Sequence, residues 1–293
     1  MNYRKFRLQN SKGQIYELTD KNIKVFGNNP SGLGFSKTIQ ELRIGNESLV
    51  TYSLLNLDMI NLEILFYDDT RSEKYQKYMD FISFLTFKPI YLLYQRPNSF
   101  NWYRRRIESM SLSKTEVELD GMLHCAFQMK PLTFWEDDNV NIIEVFSSEE
   151  TVSKTYPIEY PIMYGADSIS NINIMSVGMI EAPLEITIRG TSTNPQYILY
   201  DKDGNIYGRG KFNGTFDYVY VNSKESEENI ELIRNGLMLP NPLGYQDLTI
   251  GSANQIYVTF LHLKAGQSKL SFNLGSAFDG SVEIKWRNRY VSV

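Results

Sequence analysis

The 293-residue chain contains one cysteine, Cys125, and two histidines, His124 and His262. A single thiol excludes an intrachain disulfide, so the fold must hold without covalent staples. Two imidazoles and one thiol also leave little for a zinc site, which would need carboxylates for most of its ligation. Positive charge is not in excess: 30 Lys and Arg against 34 Asp and Glu give a net charge of −4. The chain therefore offers no global basic field to a nucleic acid or an anionic membrane. No apolar run reaches the roughly 18 residues needed to span a bilayer. The basic start MNYRKFRLQNSKGQIY is not followed by the apolar core of a secretory signal. These absences lead to the expectation of a chain made and folded in a cytoplasm. Alanine is scarce too, which weighs against a helical protein.

Aromatic residues are plentiful, with 20 Tyr and 16 Phe. Such side chains suit a pleated, half-buried surface and favour strands. Hydrophobic residues at 42% and charged residues at 22% are ordinary for a folded chain, and the length allows two cores.

The segment Ser113–Trp135 reads as a hairpin with one buried face. Val117 and Leu119 alternate with Glu116, Glu118 and Asp120; Asp120-Gly121 suits a tight turn; Leu123, Cys125, Phe127 and Met129 alternate with His124 and Gln128. Upstream, residues 1–26 form another hairpin around Ser11-Lys12-Gly13, followed by a Gly/Asn/Pro loop, Gly27–Phe35. That loop lacks a Gly-Lys-Ser/Thr ending and a following helix, so it is a poor phosphate cradle. Strands are expected at Ser36–Ile44, Glu47–Leu55 and Leu62–Tyr67, with a turn at Ile44-Gly45-Asn46. Thr70–Phe87 is the one clear helix: Thr70-x-x-Glu73 is a capping box, and Tyr75, Tyr78, Met79, Ile82 and Leu85 form its apolar stripe. It is expected to cover one face of a sheet. Strands Ile90–Tyr94 and Trp102–Ile107 follow.

The acidic run Glu136–Asp138 breaks the pattern and marks a boundary between domains at residues 1–138 and 139–293. Val140–Met163 reads as an extended connection. Beyond it, strands are expected at Met179–Arg189, Tyr197–Tyr200, Ile206–Gly208, Phe216–Val221, Ile256–Leu261, Lys269–Leu274 and Ser281–Trp286, the pattern of a sandwich or jelly roll.

None of the groups able to carry chemistry forms a convincing site. His124 and Cys125 are neighbours on a strand and point to opposite faces, so they cannot pair as base and nucleophile. His262 alternates with Leu261 and Leu263 and belongs to a solvent face. Asp201-Lys202-Asp203-Gly204-Asn205 resembles the start of a calcium loop, but its twelfth position is Asn213 and strands flank it, so a hairpin turn is the better reading. The carboxylates of Glu136–Asp138, Glu149-Glu150 and Glu225–Glu228 read as solvated loops, although a hydrolase without a readable motif stays open. In Arg104-Arg105-Arg106, Arg104 and Arg106 share a strand face with Trp102, while Arg105 points with Tyr103 and Ile107. Intersubunit ion pairs are the expected use of that cluster. No catalytic, cofactor-binding or metal residue is assigned.

Several of these motifs, taken in order, resemble the distal tail protein family of long-tailed bacteriophages. They are Asn29-Pro30-Ser31-Gly32-Leu33-Gly34-Phe35, the helix from Tyr75 with Leu92-Leu93-Tyr94, Lys114-Thr115-Glu116, Leu123-x-Cys125-x-Phe127 and Leu132-Thr133-x-Trp135. In the second half they are Asn194-Pro195, Phe260-x-x-Leu263-x-x-Gly266, Val282-x-Ile284-x-Trp286-Arg287 and Tyr290–Val293. The resemblance implies a mainly β protein: a ring-forming β-sandwich-type domain with one α-helix, then a galectin-like or jelly-roll sandwich. It implies a non-enzymatic, cofactor-free hub of the virion tail tip or baseplate, forming a homo-oligomeric ring, usually a hexamer. Partners would be the major tail tube protein, the tail-tip or tail-associated lysin protein and receptor-binding proteins, with no specific nucleic-acid binding and no membrane. A sugar-binding role towards a host surface glycan is the alternative, with Tyr197, Tyr200, Tyr218 or Tyr245 as possible platforms.

Overall fold

The computed structural model describes residues 4–19, 25–44, 47–116, 122–147, 172–225, 227–247, 259–276 and 278–293. The chain divides into two compact units, Met1–Asn139 with Arg289–Val293, and Val140–Asn288.

The first unit opens with β1 (Lys5–Gln9) and β2 (Ile15–Glu17), a hairpin around Gly13, followed by β3 (Val25–Ser31). β4 (Phe35–Ile44) and β5 (Glu47–Leu57) pair with each other in a separate ribbon, and β6 (Ile60–Phe66) precedes α1 (Arg71–Leu85). β7 (Ile90–Gln95), β8 (Trp102–Glu116), β9 (Leu123–Pro131) and β10 (Trp135–Asp137) follow. Among the described residues the main sheet runs β2-β1-β7-β8-β9-β6-β3.

Two sequence expectations are corrected here. Gly27–Ser31 is strand rather than loop: it pairs with β6 across a register shift between Asn28 and Ser31, and a bulge there spares Pro30 a ladder bond it could not donate. Trp102–Ile107 and Ser113–Glu116 belong to one 15-residue strand rather than two. Its first half pairs with β7 and its second with β9, with a register shift between Ile107 and Ser109. The expected hairpin is present as β8 against β9, from Ile107 opposite Pro131 to Glu116 opposite Leu123. Its Asp120-Gly121 turn, and the Gly45-Asn46 turn, lie outside the described residues.

Strict alternation puts Ile60, Leu62, Ile64 and Phe66 of β6, and Leu123, Cys125, Phe127 and Met129 of β9, into one core. The helix covers that core. Thr70 caps it: the Glu73 N–H donates to the Thr70 hydroxyl, which itself donates to the Glu73 carboxylate at 2.6 Å. The expected apolar stripe is rotated. Phe81 and Phe84 are buried, with Tyr78 and Leu85 beside them, whereas Met79 is 56% exposed. The larger rings win the inward face: Phe81 contacts Tyr16, Phe66 and Phe127 at centroid distances of 4.9, 5.7 and 5.5 Å.

The first strand of the second unit, Val140–Asn288, comes earlier than expected. Asn141–Phe146, read as a connection, is β11, paired along its whole length with β22 (Gly280–Trp286). Between them lie β12 (Ile172–Ser176), β13 (Ala182–Pro183), β14 (Glu185–Thr193), β15 (Gln196–Tyr200) and β16 (Ile206–Lys211). β17 (Thr215–Asn222), β18 (Asn229–Arg234), β19 (Leu237–Met238), β20 (His262–Leu263) and β21 (Gly266–Asn273) complete the set. Of the strand expected over Ile256–Leu261, the first part is outside the described residues and Thr259–Leu261 is not strand. Among the described residues one sheet runs β11-β22-β14-β17-β18-β19 and another β12-β21-β15-β16. Ile186, Ile188, Val219, Val221, Val282 and Ile284 from the first face Leu199, Leu270 and Phe272 from the second in one core, as in a sandwich. The chain then returns to the first unit, where β23 (Arg289–Tyr290) pairs with β10.

Candidate assembly surfaces

Two features of the first unit stand outside an ordinary single-chain core. The first is the β4–β5 ribbon. Its register sets Phe35 opposite Leu57, Lys37 opposite Leu55 and Ile39 opposite Ser53, so Phe35, Ile39, Leu55 and Leu57 share one face. Phe35 is 42% and Ile39 49% exposed. A two-stranded ribbon is marginal in water unless a third layer covers it. At its base Gly32 has φ +76°, and a Cβ there would sit 1.8 Å from the Met59 carbonyl oxygen. Next to it the Trp135 indole donates to the Leu33 carbonyl at 2.9 Å, so the ribbon's root is fixed to the core.

The second feature is the clasp made by β23. Glu136 lies directly opposite Arg289 on one side and Arg104 on the other. Arg289 is 3% exposed and reaches Glu136 Oε1 from Nε at 2.9 Å and from Nη2 at 2.8 Å. The Tyr290 ring packs edge-on to Tyr103 at 5.4 Å and its hydroxyl donates to Asp137 at 3.3 Å. Burial, followed by the field of Asp137, pushes that phenol up to about 12. Glu136–Asp138 is thus not a solvated loop, because it is paired by cations that the sequence order separates widely.

Residues 5–132 match the model of the distal tail protein N-terminal domain. The first unit is thus similar to the N-terminal domain of distal tail proteins. Among solved structures, a chain of the phage P2 baseplate in its activated conformation with Ca is similar over 99% of both chains, at 17% identity and a TM-score of 0.59. The activated conformation of that baseplate with Sr gives 18% identity, 99% of both chains and a TM-score of 0.60. The SPP1 Dit protein, described as a hub of the adsorption apparatus in phages infecting Gram-positive bacteria, covers 98% of its own chain and 96% of this one. Its identity is 13% and its TM-score 0.58. No curated protein matches.

The reactive residues of this chain fall into structural positions. Cys125 is buried, and burial pushes its thiol up to about 11 against the opposing pull of Lys114. His124 lies 3.1 Å from Glu63 across the β6–β9 ladder, on the face away from Cys125. His262 Nε2 is 3.7 Å from Glu225. Asp201 accepts from the backbone N–H groups of Asn205 and Asp203 at 2.9 and 3.0 Å, which closes the β15–β16 turn. The Asn205 bond leads the causes that hold the Asp201 carboxyl below its ordinary range. Among the described residues, no three His, Cys, Asp or Glu side chains converge on a metal-holding arrangement. Glu149-Glu150 and Ser226 lie outside the described residues.

The arginine run divides as strand geometry requires, with one correction. Arg105 is fully buried beside Tyr103 and Ile107, its Nε donating to the Thr133 carbonyl at 2.8 Å and its guanidinium 5.1 Å from the Trp135 ring centroid. Burial lowers its pKa to about 10, opposed by Asp58. A residue so enclosed makes no intersubunit ion pair. Arg104 stacks on Tyr91 at 3.8 Å and lies 3.9 Å from Asp138, inside its own chain. Of the tyrosines considered as sugar platforms, Tyr197 is fully buried and donates to the Thr259 carbonyl at 2.8 Å. Tyr245 packs edge-on against Phe216 at 5.7 Å.

Proposed function

We propose that this chain is the structural hub of a phage tail tip. In this reading it assembles as a closed homo-oligomeric ring, a hexamer, with the tail tube protein on one face and the tail-tip or tail-associated lysin protein on the other. Residues 1–138 build the ring and residues 139–293 carry peripheral contacts, including those to receptor-binding proteins. It works by assembly in the virion rather than by catalysis. The match of residues 5–132 to the distal tail protein N-terminal domain supports the tail-tip role. The observation that carries the ring is the β4–β5 ribbon, which carries Phe35, Ile39, Leu55 and Leu57 on one face and which no third strand joins among the described residues. A neighbouring copy is the simplest cover for it, since a closed ring presents the same receiving surface to every ribbon.

Negative-stain imaging and sedimentation of the purified protein test this reading. Rings with a central hole are expected, and Phe35→Asp combined with Ile39→Asp should return folded monomers with an unchanged circular dichroism spectrum. A parent protein that stays monomeric at high concentration would overturn the ring.

A further inference from the structure

At one end of the β12-β21-β15-β16 sheet lies a cleft of about 440 Å³ lined by Thr193, Asn194, Gln196, Lys211, Asn273, Gly275 and Ser276. Its volume is within the roughly 300–1,000 Å³ of small-ligand sites. The strand pattern builds its floor. Tyr197, Phe272 and Phe212 turn inward and are buried, so their predecessors or successors Gln196, Asn273 and Lys211 turn outward. Gln196 is the register partner of both Asn273 and Lys211, which makes a cross-strand row of two carboxamides and an ammonium. The walls are pinned. The Thr193 N–H donates to the Leu274 carbonyl at 2.9 Å and the Asn194 N–H to the Gly214 carbonyl at 2.7 Å. Gly275, at φ +94°, brings its backbone against Thr193, where a Cβ would stand 3.3 Å from Thr193 atoms.

The polar groups are already oriented. Asn194 Oδ1 accepts from the Gly214 N–H at 2.8 Å and Asn273 Oδ1 from the Gly275 N–H at 3.4 Å, which leaves each amide nitrogen as a fixed donor. Among the described residues, neither end of the Gln196 amide has a hydrogen-bond partner, so both are open to a ligand. The one charge is balanced, because Lys211 Nζ lies 3.0 Å from the buried Asp247 carboxylate. Among the described residues, no carboxylate, aromatic ring or purely aliphatic side chain lines the cleft. A phosphate or an acidic ligand would find no uncompensated cation. A docked protein segment would find none of the aromatic or apolar pockets in which interface energy concentrates. Preorganised carboxamides and hydroxyls around a neutral space suit vicinal hydroxyl groups.

We propose that this cleft binds a neutral saccharide, with Gln196 and Asn273 as its principal hydrogen-bonding residues and Asn194, Thr193 and Ser276 at its rim. Without a stacking platform the affinity of one copy is weak, on the order of millimolar, and several copies on one particle would multiply it. The gain from several copies rests on the ring, but the site does not, so the test below reads a single copy.

The full-length protein is titrated with glucose, galactose, rhamnose, N-acetylglucosamine and their disaccharides, followed by saturation-transfer NMR and calorimetry. Triglycine and inorganic phosphate are the control ligands. At least one saccharide is expected to bind, and Gln196→Ala and Asn273→Ala should each weaken it about fivefold or more. Both positions are at the surface, and Ser276→Ala gives a smaller loss should either variant misfold. The proposal is overturned if no saccharide binds, if the variants bind like the parent, or if triglycine or phosphate binds as well as the best saccharide. None of these outcomes depends on whether rings form.

Discussion

In the first unit a single helix closes the core, and one residue on it, Phe81, touches rings from β2, β6 and β9. In the second unit no α-helix stands among the described residues, and two sheets supply opposite sides of the core through Ile186, Val219 and Ile284 on one and Leu199 and Phe272 on the other. In the first arrangement a short local element covers a sheet that supplies most of the buried side chains. The second sets two sheets face to face, each held by pairings between distant segments such as β11 with β22. The contrast extends to surfaces: the first unit exposes an apolar ribbon, while the second has a polar cleft whose strands are packed from behind. A unit with an exposed apolar ribbon suits assembly, and one with a polar concavity suits recognition.

The largest way to break that contrast is Phe81→Ala. Removing a fully buried ring with three aromatic neighbours should cost the first unit about 3–5 kcal/mol. Hydrogen exchange should show lost protection in α1, β2, β6 and β9 and none in β14, β17 and β22. Equal loss in both units would mean that they unfold as one cooperative body.

Next is the clasp, which belongs to the first unit although its residues follow the second in sequence. Arg289→Met leaves Glu136 without its main partner and should destabilise the first unit by about 3 kcal/mol. Glu136→Met together with Arg289→Met should recover most of that loss, since it is an unpaired buried charge that is costly rather than the absence of an ion pair. A denaturation cycle over the two singles and the double measures the coupling. Additive losses would show that packing of Tyr290 on Tyr103, not the charges, holds β23 in place.

These two sites also show how far the sequence can be read. The alternation in Ile60–Phe66 and Leu123–Met129 states its buried face outright, because period-two burial leaves no other arrangement of those side chains. The helix was legible in its cap and its length but not in its facing. Met79 and Ile82 fit a helical period as well as Phe81 and Phe84 do, and the choice is made by rings on β2, β6 and β9 that lie elsewhere in the chain. Glu136–Asp138 looked solvated for the same reason, as its cation comes from residue 289. The cleft was not legible at all. Its floor is set by the pairing of Gln196 with both Asn273 and Lys211, and neither partner is marked by any local motif.

The smallest effect, on the order of 1–2 kcal/mol, comes from alkaline pH and separates the units by their titrating groups. In the first unit burial raises the Cys125 thiol from 9.0 to about 11, with Lys114 opposing. A group whose pKa is raised on folding contributes stability that is whole below its unfolded value and is lost as pH climbs to its folded one. Cys125 therefore weakens the first unit between pH 9 and 11. Tyr16, raised to about 12 by burial and then by Asp80, extends that loss. The second unit has no cysteine, and its perturbed groups on this side of neutrality are tyrosines: Tyr207 and Tyr220 are raised from 10.0, chiefly by burial and then by Glu181 and Glu185. Its loss should begin only above pH 10. Unit-resolved hydrogen exchange corrected for intrinsic rates, or thermal melts between about pH 8 and 11, should show the first unit softening first. Cys125→Val should move its onset up to that of the tyrosines. An unchanged onset in that variant would remove the thiol from the account and leave the two cores alike in their response to base.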